Sequence, residues 1–117
     1  MRLNEVTYGA GLPVESYGPG FFRIGGEVRR GAVRVLPSGV EAWGGVEDLG
    51  AILAAAEDID VLLLGTGPEI AHAPDAVRER LEAAGIGVEV MASPAACRSY
   101  NVLLGEGRRV ALAALPV

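Results

Sequence analysis

The sequence contains a single cysteine, Cys97, a single histidine, His72, and no lysine. One thiol cannot close an internal disulfide, and it cannot build a cysteine-based metal cluster. A zinc site would have to draw most of its ligands from carboxylates, an unusual set for that ion, so neither a metal nor a cofactor is expected. Long apolar runs are also missing; none approaches the ~20 residues that a membrane-spanning helix needs. The opening residues, MRLNEVTYGAG, have no apolar stretch of the kind a secretory signal carries, so a cytoplasmic protein is expected. Basic charge is scarce. Ten basic residues, all arginine, stand against 15 acidic ones and leave a net charge of −5. Binding to a phosphate backbone requires a basic face, so nucleic acid is disfavoured as a partner. The exclusive use of arginine reads first as a compositional bias, although arginine is also the better bidentate ligand for anions.

What is present is apolar residue. At 50% of the chain it is ample for a core and argues against general disorder. A chain of 117 residues predicts one domain, with residues 1–17 weakly specified and expected to be partly loose.

The first half carries strand patterns. Phe21–Ile24 follows Gly18-Pro19-Gly20, and Gly25-Gly26 separates it from Glu27-Val28. Ala32–Leu36 alternates in part, Pro37-Ser38-Gly39 is a turn, and Val40–Trp43 resumes the alternation. Short strands joined by Gly and Pro predict an antiparallel meander. At Val46 the period changes. Val46, Leu49, Ile52, Leu53 and Ala56 fall at helical spacing, with Glu47 and Asp48 expected in the first turn. Ile59–Leu64 is a continuous apolar stretch, as strands covered on both faces are.

Pro74 suits the first position of a second helix, with Val77, Leu81 and Ala84 inward, an Arg78–Glu82 pair outward and Gly85 just past its end. Ile86–Met91 is a further buried strand. Ser93-Pro94 reads as N-cap and first residue of a third helix running to about Leu104. Gly105-Glu106-Gly107 breaks that helix, and Arg108–Leu115 is the last strand. Alternating helix and strand predicts a mostly parallel sheet with helices packed on it.

Val88-Glu89-Val90-Met91-Ala92-Ser93-Pro94-Ala95-Ala96-Cys97-Arg98-Ser99-Tyr100-Asn101, followed by Glu106-Gly107-Arg108-Arg109-Val110-Ala111, carries a family resemblance. With Leu64-Gly65-Thr66-Gly67, Gly20-Phe21-Phe22 and Leu36-Pro37-Ser38-Gly39, the order and spacing resemble the Mth-type domain of unknown function. That family includes mitochondrial complex I assembly factor 3 and an adipogenesis-associated protein. The likeness covers about Gly18 to Val117. It implies a three-layer α/β fold, with a mixed central sheet flanked by helices and a small N-terminal antiparallel β element. It implies no catalytic activity that transfers residue by residue.

Two groups of residues could form a site. The loop Gly65-Thr66-Gly67-Pro68-Glu69 leaves the C-terminal end of a buried strand, where open α/β sheets place ligands. Glycine there permits φ > 0 and close approach of backbone to a ligand. Ile70 stands where a dinucleotide fingerprint needs a third glycine, and the next helix starts too late to meet a phosphate. The loop therefore reads either as a turn requiring small residues or as a small-anion pocket. The second group is Ser93, Arg98, Tyr100 and Asn101, at and after a helix start that can bind an anion; beside the glycine loop it would complete one cleft. Ser93 as a cap, Tyr100 as core and Asn101 bound to local backbone are the structural alternatives. Cys97 reads as a small buried hydrophobe, or as a nucleophile if folding brings His72 to it. Two functions follow: a non-enzymatic interaction or assembly module with a protein partner, or a small-ligand binder or enzyme. The sequence does not fix the oligomeric state.

Overall fold

The computed structural model describes residues 11–117. The expected loose segment over 1–17 therefore lies partly outside the described residues; inside them, Val14–Gly18 is a strand. The elements run β1 (Val14–Gly18), β2 (Phe21–Ile24), β3 (Glu27–Arg30), β4 (Val33–Leu36), β5 (Gly39–Ala42), α1 (Gly50–Ala54), a single 3-10 turn (Ala56–Asp58), β6 (Val61–Thr66), α2 (Asp75–Ala83), β7 (Gly87–Met91), α3 (Ser93–Gly105) and β8 (Val110–Leu115).

They make an α/β fold with a five-stranded mixed sheet in the order β5-β4-β8-β6-β7 and a separate three-stranded antiparallel sheet, β1-β2-β3. Strands β8, β6 and β7 are parallel, while β4 runs antiparallel to both β5 and β8.

The continuous apolar pattern of the central strands follows from burial on both faces. Along β6, Leu63 faces one core and Leu62 and Leu64 the other. Along β8, Leu112 and Ala114 face the first core, and Ala111 and Ala113 the second. The first core is closed by α3, through Ala96, Cys97, Tyr100 and Leu104, and by Val14, Phe22 and Ile24 of the small sheet. The second is closed by Leu49 and Ile52 around α1 and by Val77 and Leu81 of α2. The central sheet is thus the middle of three layers.

Three expectations from sequence are corrected. The first-half strands are not one meander: β1–β3 form the small sheet, and β4–β5 join the central one. Besides its hairpin partner β5, β4 pairs with β8, matching Val33 to Ala114 and Val35 to Leu112, a contact across most of the chain that local turns cannot announce.

The helix expected from Val46 starts only at Gly50, and Glu47 and Asp48 are not in its first turn. Asp48 is drawn into a turn instead. Its carboxylate accepts from the Gly44 N–H at 2.8 Å, its carbonyl accepts from the Trp43 indole at 2.9 Å, and its N–H donates to the Gly45 carbonyl. These bonds outcompete a helical ladder over 46–49.

The third correction concerns Ser93, which is the first residue of α3 and not its cap; Ala92 holds the cap position in an extended conformation.

Helix α2 keeps most of its sequence signals, with Val77 and Leu81 buried. However, Pro74 is its N-cap rather than its first residue, and Ala84, expected inward, is its exposed C-cap, where the chain already turns out of the helix. Pro74 precedes it, Arg78 meets Glu82 at 3.8 Å, and Gly85 follows at φ 86°. The Gly85 N–H donates to the Glu82 carbonyl and the Ile86 N–H to the Leu81 carbonyl, the paired closure of a helix end that needs a left-handed residue. Helix α3 ends the same way at Gly107. Among the described residues no helix is long and apolar enough to cross a membrane.

Leu63, fully buried in the central strand, reports on the first core. Leu63→Ala is expected to cost about 2–5 kcal/mol through lost transfer energy and a cavity. Urea unfolding followed by circular dichroism should show the midpoint fall with little change in slope.

Candidate functional site

The strand β6 turns into its loop against the start of α3, so Ser93 and the glycine loop do meet, as the sequence allowed. The contact is closed. The Ser93 hydroxyl donates to the Leu115 carbonyl at 2.6 Å and accepts from the Gly67 N–H at 2.9 Å. The Ser93 N–H donates to the Gly67 carbonyl at 2.7 Å. Ser93 is fully buried.

These bonds explain both glycines. A Cβ on Gly65 would lie 2.7 Å from Ser93 Oγ, 2.9 Å from its Cα and 3.1 Å from the Ala114 Cβ, so the space is already filled. Gly67 sits at φ 103°, a conformation that side chains with a Cβ avoid.

Thr66 holds the rest of the loop. Its hydroxyl accepts from the Ala71 N–H at 3.0 Å and has two carbonyls in donor range, Glu69 at 2.8 Å and Met91 at 3.1 Å. The Glu69 side chain is exposed. The start of α3 has little left for an anion: Ser93 N–H is used, Pro94 has none, and the Ala96 N–H is bonded to the Ala92 carbonyl.

The other residues of the second group go elsewhere. Tyr100 is buried, and its hydroxyl donates to the Leu12 carbonyl at 2.8 Å. Burial pushes its phenol well above the usual range. Asn101 behaves as a piece of β-ladder: its amide donates to the Val14 carbonyl and its carbonyl accepts from the Val14 N–H, both at 2.8 Å. It binds backbone, but of a strand far away in sequence rather than local. Together the two side chains fasten the small sheet to α3.

Arg98 is exposed and lines a groove of about 490 Å³ between β7 and α3, with Glu89, Met91, Ser99, Val102 and Leu103. No residue of the Gly65–Glu69 loop lines that groove. The sequence reading missed it because the edge position of β7 depends on strand order.

Cys97 packs in the first core, and burial lifts its thiol from 9.0 to about 11. His72 is exposed, 3.7 Å from the Asp75 carboxylate, and lines a different groove with Ile70, Ala73, Arg78 and Val90. Val90 belongs to the second core, so the thiol and the imidazole are served by opposite faces of the sheet.

The chain is thus a three-layer α/β domain in which the polar groups of the β6 loop are bonded to its own backbone. The chain belongs to the family described as "Protein of unknown function (DUF498/DUF598)", whose model matches residues 14–115. An uncharacterized protein of Rhodobacter capsulatus is 45% identical over 117 residues, covering all of this chain and 94% of that one. NADH dehydrogenase [ubiquinone] 1 alpha subcomplex assembly factor 3 of Danio rerio is 36% identical, covering 92% of this chain; the match spans 66% of that protein's length.

Among solved structures, an outer membrane protein from Bartonella henselae superposes with a TM-score of 0.85 at 36% identity, covering 91% of this chain and 95% of that one. A Mth938-like domain from Bordetella pertussis gives 0.78 at 29%, covering 99% and 92%. The family resemblance and the three-layer fold read from sequence are therefore correct.

Ser93→Ala removes the shared partner of the Gly67 N–H and the Leu115 carbonyl, and is expected to destabilise by about 1–3 kcal/mol, measured by chemical denaturation. For Cys97 the thiol form is favoured by folding, so its contribution is complete below pH 9 and is lost as pH rises through about 11. Native alkylation by iodoacetamide at pH 7.5 should therefore be far slower than for the same chain in urea. Equal rates in the two states would contradict the buried, protonated thiol.

Proposed function

We propose that this chain is a non-enzymatic protein-interaction module of the assembly type, working through a protein partner. The observation that carries this reading is the internal use of the glycine-loop donors: the Gly67 N–H and the Ser93 and Thr66 hydroxyls are all engaged by this chain's own backbone. A pocket for a phosphate or carboxylate would hold such groups in reserve. The Danio rerio relative is named as an assembly factor, which supports the same direction. A cytoplasmic setting belongs to this reading and is compatible with a lone, unpaired cysteine.

The competing reading is a small-anion binder with Thr66, Glu69 and Arg98 as contacts. What favours it is the exposed guanidinium of Arg98 beside an open groove. Ligand binding raises the melting temperature by mass action, so a thermal-shift screen of nucleotides, inorganic phosphate and carboxylates separates the two. The module reading expects a flat screen, together with a stoichiometric partner recovered by in-cell crosslinking from the source organism. A reproducible shift with one anion, abolished by Arg98→Ala, would overturn it. Recovery of the protein in a washed membrane pellet would overturn the cytoplasmic placement.

A further inference from the structure

Helix α3 buries Ala96, Cys97, Tyr100 and Leu104, and its opposite side presents a stripe at helical spacing: Arg98, Val102 and Glu106. All three are exposed. Val102, at 59% exposure, is the one large apolar side chain exposed on a helix among the described residues. Arg98 and Glu106 lie one turn before and one turn after it. They are separated by about 12 Å of helix rise, too far to pair with each other. Among the described residues, neither has an ion-pair partner.

The stripe is antisymmetric in charge about its apolar centre. An antiparallel copy laid on it with the two-fold axis at Val102 sets each Arg98 against the other copy's Glu106, and Val102 against Val102. Residues at i and i+4 form the ridge that packs most commonly between helices, and a two-fold contact requires a patch complementary to itself.

A second observation points the same way. Glu106 is the C-cap of α3, the end where the helix dipole disfavours a carboxylate and favours a cation. Within α3 no basic residue occupies the last turn. The nearest basic residue in sequence, Arg108, lies beyond the helix end, and a guanidinium brought by a second copy would add positive charge opposite the Glu106 carboxylate itself. The groove beside the stripe, with Met91 and Leu103 on its wall, gives adjoining apolar surface.

We propose that the outer face of α3 is a homodimer interface in which two copies of this chain pair antiparallel about Val102, with reciprocal Arg98–Glu106 contacts. The interface is independent of the assembly reading above, which concerns a different partner. A contact built on one helix face and its groove is smaller than the standard interface of about 800 Å² per partner, so association in the upper-micromolar range is expected.

Analytical ultracentrifugation of the full chain from about 10 μM to about 1 mM spans that range. Dimer should grow with concentration and shrink as salt is raised. Arg98→Glu and Glu106→Arg should each weaken the homodimer by about tenfold or more, because each places like charges opposite one another twice.

Mixing the two single variants should restore association, since the Arg98→Glu chain then meets only arginines across the axis and the other chain only carboxylates. The double swap should restore the homodimer. Val102→Asp should leave a monomer with an unchanged circular dichroism spectrum. A wild-type chain monomeric at every concentration overturns the proposal, as does a dimer indifferent to both swaps, or a mixture of swapped chains that does not associate. A different protein captured on this face, without self-association, overturns it as well.

Discussion

The Ser93 hydroxyl is the point at which three separate parts of the chain are tied. It receives the N–H of the loop leaving β6 and gives its proton to the carbonyl at the end of β8, from the first residue of α3. Each of those backbone groups stands at the end of an element whose next residue leaves the ladder, where pairing must come from a side chain or water. One hydroxyl satisfies both, and because it is buried the bonds are costly to lose. The consequences run outward: Gly65 must lack a Cβ to let Ser93 in, and Gly67 must take a positive φ. The loop that the sequence offers as a turn or a small-anion pocket ties the sheet to its principal helix.

From that tie α3 extends across the sheet, and its next polar groups are used the same way. Tyr100 takes the Leu12 carbonyl and Asn101 takes both backbone groups of Val14. The small sheet thereby gains anchors that are polar and directional, added to the packing of Phe22 and Ile24 in the shared core. A small sheet gains its stability from an apolar face packed against something; here that partner is α3, and Asn101 fixes where along the helix β1 lies.

The parts of this structure that could be read in sequence are those decided locally. The two-sided burial of β6 and β8 is visible in Val61–Leu64 and Val110–Leu115, and α2 is visible in Pro74, Val77, Leu81 and Gly85. Local bonding chemistry misled at Val46–Leu49. The apolar spacing is helical and Leu49 does face the core, but the Asp48 side chain and the Trp43 indole hold the chain in a turn.

Strand order was not legible, because whether β4 pairs with the small sheet or with β8 is decided by residues far apart in sequence. For the candidate site, the meeting of Ser93 with the glycine loop was a sound conditional. How its hydroxyl is used was not legible: the same serine at a helix start serves as a cap, an anion donor or a bridge, and the bond to the Leu115 carbonyl depends on a strand 22 residues away in sequence.

That allocation limits how this chain can work on others. The inner face of α3 is consumed by the core, its first turn by the β6 loop and by β8, and Tyr100 and Asn101 by the small sheet. The polar groups left over on this helix face outward, as Arg98 and Glu106 do, and they are long, charged and separated by an apolar residue. Such groups suit recognition of a surface of opposite charge better than the dry, fixed geometry that catalysis needs. A fold that spends its buried polar atoms on holding itself together leaves its surface for contacts with other molecules, and for α3 that surface carries both signs of charge in the order that the proposed second copy would match.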